Sequence, residues 1–363
     1  MAAIDSAALE TRLATFLAAC SGPQQHSAEW YAAMGTTVGG SELAAVMGMN
    51  PYSSYADVVR AKADTLLGKP RWPGSPACWW GSLFEKVICS FVELDLKAAV
   101  AGRGACIQAY PGHRCSPDGY IVAALPGGDG RPEVALLEFK CPLSRRPRGT
   151  IPPHYLPQVL SGLAVSPAAD CGLFVDALFR RCALADLGAS EAYDASYHGR
   201  ARLGPPLAWG LVRLYSRGPE CLPLAVGLAA PAGAPADAGV IPADAFSELL
   251  GLIDQGVVAA VPCIEGTARG GPAPAPAPAP APGPEHRLVG LLPWKLFRVD
   301  YLRVERSPGF MEAALPLIAG VHLAAAAAVA SGHPEQYIAS RYDNGMAAPK
   351  IKAADIQDLF DLI

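Results

Sequence analysis

Ser116-Pro117-Asp118-Gly119 and, twenty positions on, Leu136-Leu137-Glu138-Phe139-Lys140-Cys141-Pro142 are the stretches on which the reading of this chain turns. The first reads as a strand end running into a tight turn, the second as a strand. Side chains alternate faces along a strand, so Glu138 and Lys140 share one face while Leu137 and Phe139 take the other. A strand otherwise this apolar does not accept a charge without a cation or a partner. If the two stretches pair as neighbours, Asp118 meets Glu138 at the sheet surface. Two close carboxylates need a proton or a cation between them, and an oxygen-rich site of that kind suits Mg²⁺, with Mn²⁺ as substitute. Lys140 then stands about two strand residues, ~7 Å, from the Glu138 backbone. From there its ammonium can orient an attacking water, depress its pKa and stabilise charge on a phosphorane.

Upstream of this pair the pattern is helical. Residues 1–35 read as a helical lead-in ending near Trp30, and Ser41 to about Met49 reads as helix, with Ser41 as cap and Glu42 at the positive end. Asn50-Pro51 breaks that run, and Ser53 or Ser54 caps the next helix, through Val58, Val59 and Ala63. Gly68 to Pro76 is a loop, and Trp79 to about Leu96 repeats apolar residues at helical spacing. After Gly104 the segments Ile107–Tyr110, Gly119–Ala123 and Val134–Phe139 form a strand meander, followed by a helix over His154–Val165 and a strand over Gly172–Phe179. The expected fold is α/β (α+β), a central mixed sheet flanked by helices.

Beyond residue 182 the pattern weakens. Trp209–Ser216 reads as strand and Phe246–Val257 as helix opened by Asp244, while Pro272 to Pro284 repeats Ala-Pro and reads as an extended spacer. Leu296–Val304 reads as strand and Gly309–Ala330 as helix. The expected organisation is therefore a core at 1–182, an insertion at 183–287 carrying the low-complexity spacer at 272–284, and a return to the core at 288–363.

Bulk composition narrows the function. A formal net charge of −4 argues against a histone-like DNA binder, but an enzyme that approaches phosphates through a bound cation needs only a local basic strip. Lys140, Arg145, Arg146 and Arg148 provide one, with no acid between Phe139 and Gly149. Arg145, Arg146 and Arg148 are candidates for tracking backbone phosphates independently of sequence. The ten cysteines include no CxxC pair, which leaves a zinc or iron–sulfur cage without support and suits a reducing compartment. The apolar run near Leu315–Ala330 is alanine-dominated and interrupted by His322, as in a core helix rather than a membrane span. No GxSxG, P-loop or HExxH is present.

The run SPDG, a hairpin, then LLEFKCP resembles the lambda-exonuclease and YqaJ-like viral recombinase family of PD-(D/E)xK nucleases. Further motifs stand in the family's order: Trp30 to Thr-Val-Gly-Gly-Ser41-Glu-Leu, Met49-Asn50-Pro51-Tyr52, Gly81-Ser82-Leu83-Phe84-Glu85, and His154-Tyr155-Leu156-Pro157-Gln158-Val159. The resemblance spans about Trp30 to Phe179 and resumes at Leu291–Leu323. It implies a metal-dependent deoxyribonuclease, an exonuclease acting 5′ to 3′ on linear duplex DNA in viral recombination or genome processing. Asp118 and Glu138 would ligate the metal with the Phe139 carbonyl, and Glu85 would assist it through water, or directly if a second ion binds. Lys140 would act on the nucleophile, Gln158 would hold the nucleophile or the scissile phosphate, and Ser41 would bind the phosphate at the DNA end. Met34 stands where the family usually has an arginine associated with the terminal 5′ phosphate, which weakens strict 5′-end use unless another basic residue substitutes. The resemblance also implies DNA as partner, with a single-strand annealing protein and further copies of the chain as candidate partners. No membrane partner is implied, nor an iron–sulfur cluster, since no clustered cysteines follow Gln158. Composition and resemblance together lead to the expectation of a soluble, intracellular protein, in the nucleus or cytoplasm of a host cell if viral. The competing readings are an endonuclease of the same fold in repair or DNA processing, and a non-catalytic DNA-binding protein that kept the fold.

Overall fold

The computed structural model describes residues 6–187 apart from breaks at 21, 24–26, 70–73 and 183, then 205–216, 249–268 with breaks at 250 and 254–257, and 287–343. Helices α1 (Ser6–Ala19) and α2 (Ala28–Thr36) lead into the two-residue strand β1 (Val38–Gly39), a 3₁₀ turn at Gly40–Glu42 and the short α3 (Leu43–Val46). The expected helix from Ser41 is thus cut to one turn, and Ser41 is not its cap. Glu42 reaches back instead, its carboxylate accepting from the Gly39 N–H at 2.6 Å.

The next two helices follow from their caps. Ser54 accepts from the Asp57 N–H while the Asp57 carboxylate accepts from the Ser54 N–H, a reciprocal pair that starts α4 (Tyr55–Leu66). Helix α5 (Pro76–Leu96) begins three residues before the expected Trp79, because Ser75 caps it and proline fits the first helical position.

Strands β2 (Val100–Ala101), β3 (His113–Arg114), β4 (Gly119–Ala124), β5 (Pro132–Lys140), β6 (Cys171–Arg181), β7 (Ala208–Ser216), β8 (Val258–Thr267) and β9 (Arg287–Val304) follow, with α6 (Leu156–Val165) between β5 and β6. Seven of them form a mixed sheet in the order β2-β4-β5-β6-β9-β7-β8. Strands β5 and β6 run parallel, joined through α6, and the other neighbours are antiparallel. The remaining strand, β3, pairs with β1 in a small ribbon. Ile107 makes only an isolated bridge to Cys115 rather than opening a strand to Tyr110, since Tyr110-Pro111-Gly112 turns the chain back first.

Strand β9 is long enough to serve two partners, β7 along residues 287–296 and β6 along 294–304. The two described strands of segment 183–287 therefore extend the central sheet. Strand β8 had no sequence signal and contains Pro262, which its edge position tolerates. The Ala-Pro tract at 272–284 lies outside the described residues, as does the helix expected at 246–257 except Leu249 and residues 251–253.

Two apolar layers cover the sheet. On one face Val134 and Leu136 of β5 meet α1, α3, α4, α6 and α7 (Phe310–Ala330). On the other, Ala135, Leu137 and Phe139 pack under α5, whose Trp80, Phe84 and Ile88 are almost wholly buried. Each such side chain contributes roughly 1.5–3 kcal/mol by leaving water. Phe84 stacks on Phe179 with ring centroids 4.5 Å apart. Helix α7 is apolar and long enough to cross a bilayer, but its Ala314, Leu317, Ile318 and Val321 are buried in the first layer. A helix of that kind serves as core.

His113, fully buried, donates from Nδ1 to the Val38 carbonyl at 2.9 Å, and Nε2 has no partner among the described residues. Burial, helped by the Arg114 charge, pushes its pKa down to about 4. The unfolded chain, titrating near 6.5, takes up that proton first as the pH falls, so this stability is whole above about pH 7 and lost toward pH 4. Taking the pH from 7.5 to 5 is expected to cost about 2 kcal/mol at this residue. Urea unfolding of His113→Gln at both pH values should show that much less pH dependence than the parent chain.

Candidate active site

Gly119 pairs with Leu137, which sets Asp118 level with Glu138. The Asp118 N–H donates to the Leu137 carbonyl at 3.2 Å, and the Phe139 N–H donates to Asp118 Oδ2 at 2.6 Å. These two bonds turn the Asp118 carboxyl onto the β5 backbone beside Glu138. Glycine is required at 119, because a Cβ there would meet Val100 Cγ1 of the neighbouring strand at 2.4 Å.

Glu138 is 2% exposed. Its Oε1 accepts from Lys140 Nζ at 2.5 Å, and the same ammonium reaches Gln158 Oε1 at 3.3 Å. Gln158 lies in the first turn of α6, the helix that returns the chain from β5 to β6. The parallel crossover is therefore what delivers the amide to the lysine.

Burial is the main cause that raises the Asp118 pKa well above the ordinary carboxylate value. The Glu138 and Glu85 charges add to it, while Lys140 and the Phe139 N–H offset part. Glu85, on α5 in the other layer, is raised for the same reasons, burial first and then the Glu138 charge. At Lys140 burial pulls the pKa down, but the Glu138 and Asp118 carboxylates outweigh it and the net shift is upward. The lysine is therefore a charged donor at neutral pH rather than a base.

Among the described residues no three Asp, Glu, His or Cys groups form a ready-made metal cage. The donors nevertheless fit an oxygen-preferring divalent ion, which needs one or two protein carboxylates and completes its shell with water. The adjacent carboxyls of half-buried Asp118 and buried Glu138 create the electrostatic demand that such an ion answers.

The other candidates divide. Ser41 is exposed in the Gly40–Glu42 turn. That turn packs closely on α6, since a Cβ on Gly40 would meet Ser161 Oγ at 2.9 Å and Cys115 Sγ at 3.0 Å. Arg145 is engaged: Nη1 and Nη2 donate to the two oxygens of fully buried Asp176 at 2.5 and 2.8 Å. Arg146 and Arg148 are exposed. Beside Met34, which departs from the arginine usual in the resembled family, Lys62 Nζ donates to the Met34 carbonyl at 2.9 Å and to both Glu42 oxygens at 2.8 Å. Arg114 lies over the Trp30 ring at 5.0 Å.

Sequence reasoning did not single out Asp176 or Tyr155 as site residues. Tyr155 lies under both Lys140 and Arg145, 5.1 and 5.8 Å from its ring centre. Asp176 pairs in register with Lys140 across β5 and β6. Its signal was present, a lone carboxylate inside the apolar run Cys171–Phe179, the same argument that picked out Glu138. His154, next to Tyr155, is held below the usual imidazole range by burial and then by the Arg145 and Lys140 charges.

Residues 29–169, which hold every one of these groups except Asp176, match the YqaJ-like viral recombinase domain. A protein of African swine fever virus (strain Badajoz 1971 Vero-adapted) is 31% identical over 319 residues, 82% of this chain and 84% of that protein. An alkaline exonuclease of Laribacter hongkongensis is a structural neighbour with TM-score 0.33 and 21% identity, covering 42% of this chain and 74% of that one. A phage-related exonuclease of Haemophilus somnus 129PT gives TM-score 0.29 and 16% identity, over 39% and 68%. The chain, a relative of the swine fever virus protein along most of both lengths, belongs to the YqaJ-like viral recombinase family.

Proposed function

We propose that this chain is a Mg²⁺-dependent PD-(D/E)xK exonuclease that hydrolyses phosphodiester bonds of linear duplex DNA, 5′ to 3′, in viral recombination or genome processing. The observation that carries the reading is the cluster of Asp118, Glu138, Lys140 and Gln158, in which a buried and a half-buried acid and a charged amine come together inside a family of recombinases. A cation held by Asp118, Glu138 and the Phe139 carbonyl would supply Lewis-acid stabilisation and a more acidic water.

The side chains do the rest. Lys140, kept charged between Glu138 and Gln158, donates to the attacking oxygen and to the charge that grows on the phosphorus oxygens. Gln158 fixes the lysine through its carbonyl oxygen and leaves its amide N–H groups for the nucleophile or the scissile phosphate. Glu85 lends negative charge from the opposite layer. Arg146 and Arg148, exposed on the loop after β5, offer positive charge to the backbone of the duplex, and Ser41 offers a hydroxyl to its terminal phosphate.

Incubation with linear and with covalently closed circular duplex tests the reading. Mg²⁺ or Mn²⁺ is expected to support mononucleotide release from the linear form, with the circle intact and chelator abolishing release. Cutting of the circle would make the chain an endonuclease, and binding without cutting of either form would overturn catalysis.

A further inference from the structure

The cluster has an aromatic extension that the proposed chemistry does not use. Tyr52 is 83% exposed. Its ring meets the His154 imidazole edge-on at 5.8 Å, His154 lies 4.2 Å from the Tyr155 ring, and Tyr155 lies under the Lys140 ammonium at 5.1 Å. A ladder of rings thus runs from solvent to the lysine.

Both outer rungs stand on stiff turns. Asn50 Oδ1 accepts from the Tyr52 N–H at 2.9 Å across Pro51, and Ser54 with Asp57 caps α4 just beyond. His154 sits in a one-turn 3₁₀ segment, Pro153–Tyr155, which follows Pro152 directly. A large ring held outward on a braced turn gives up little rotational freedom when something stacks on it. Beside Tyr52 opens a cleft of about 420 Å³, lined by Asn50, Ser53, Asp57 and Tyr342 among others. Its mixture of aromatic wall and polar edges matches a flat heterocycle with donors and acceptors on its rim. A duplex keeps its bases stacked on one another, so such a platform serves a base that has left the stack.

We propose that Tyr52, backed by His154 and the adjoining cleft, is a stacking site for an unpaired nucleobase at the end of the DNA being processed. The site rests on the nuclease reading of the same centre, and it selects frayed or overhanging ends over blunt ones. Stacking tolerates any base, in keeping with sequence-independent action.

The test uses the full chain with Ca²⁺ in place of Mg²⁺, and a duplex with a short single-stranded overhang carrying 2-aminopurine, against its blunt counterpart. The parent chain is expected to quench the 2-aminopurine and to prefer the overhang. Tyr52→Ala is expected to lower the affinity ratio of overhang to blunt by about tenfold, His154→Ala to move it the same way, and Tyr52→Phe to restore it. Tyr52 is exposed, so its truncation leaves the core intact. An unchanged ratio in Tyr52→Ala, or no overhang preference in the parent chain, overturns the stacking site. Cleavage of linear duplex by the parent chain in Mg²⁺ is measured in parallel. Cleavage with an unchanged ratio sinks the stacking site alone, and a Tyr52-dependent ratio without cleavage sinks the nuclease reading alone.

Discussion

Lys140→Ala is expected to lower the rate of DNA hydrolysis by about 10²-fold or more, with DNA binding much less affected. The loss follows from where the ammonium sits. It touches Glu138 at 2.5 Å and Gln158 at 3.3 Å, and neighbouring carboxylates keep it charged against the pull of burial. Its charge is thus fixed before any phosphate arrives, so a donor aimed at growing negative charge costs no reorganisation at the moment of reaction. Arginine at this position keeps the charge but not the point geometry, and should rescue little. Single-turnover rates measured beside binding isotherms check both statements, and an alanine variant with a parental rate would remove Lys140 from the chemistry.

Asp118→Asn is expected to abolish nearly all activity, by about 10²-fold or more on the same scale, and yet to make the metal-free protein harder to unfold. Asparagine can still accept the Phe139 N–H bond that holds Asp118 Oδ2, but it ends the repulsion with Glu138 and Glu85 and the cost of burying a third charge. The direction in pH follows. A carboxyl whose folded pKa is raised binds its proton more tightly folded than unfolded, so it destabilises the fold once the pH exceeds the unfolded value near 3.9. The stability gap between Asp118→Asn and the parent should therefore be wide at neutral pH and close toward pH 4. Adding Mg²⁺ or Mn²⁺ should raise the melting temperature of the parent but not of the variant, since a ligand stabilises only the state that binds it. Melting curves across pH, with and without the ion, decide it. A variant less stable than the parent at pH 7.5 without metal would show that the carboxylate stabilises the fold in its own right.

Both predictions concern residues whose type and spacing are visible in the chain itself. Glu138 stands as a lone acid in an apolar strand, with Lys140 two positions on, and strand alternation placed both on one face before any fold was known. Asp118 was legible as their partner because the hairpin between them is short. The cap at Ser54 was equally local, whereas the cap at Ser75 was read as loop and Ser41, read as a cap, is displaced by the reach of Glu42.

Residues acting across the sheet were less legible. Arg145 belongs to a basic run, and nothing local tells a solvated guanidinium from one locked to Asp176. Glu85 enters the electrostatics of the site from the opposite layer, and Lys62 comes to Met34 from another helix. Tyr52 and His154 meet only because two proline-braced turns converge.

What the sequence determined by itself is most of the longer helices, the strands that carry the site, the family resemblance and the spacing of the acid–amine trio, because these depend on period, caps and short-range register. The tertiary structure alone decided that β7 and β8 widen the sheet around a doubly paired β9, which charges are paired, and which rings stack toward Lys140. Those outcomes depend on closing long loops and on packing complementarity between distant surfaces, and neither leaves a periodic trace in the order of residues.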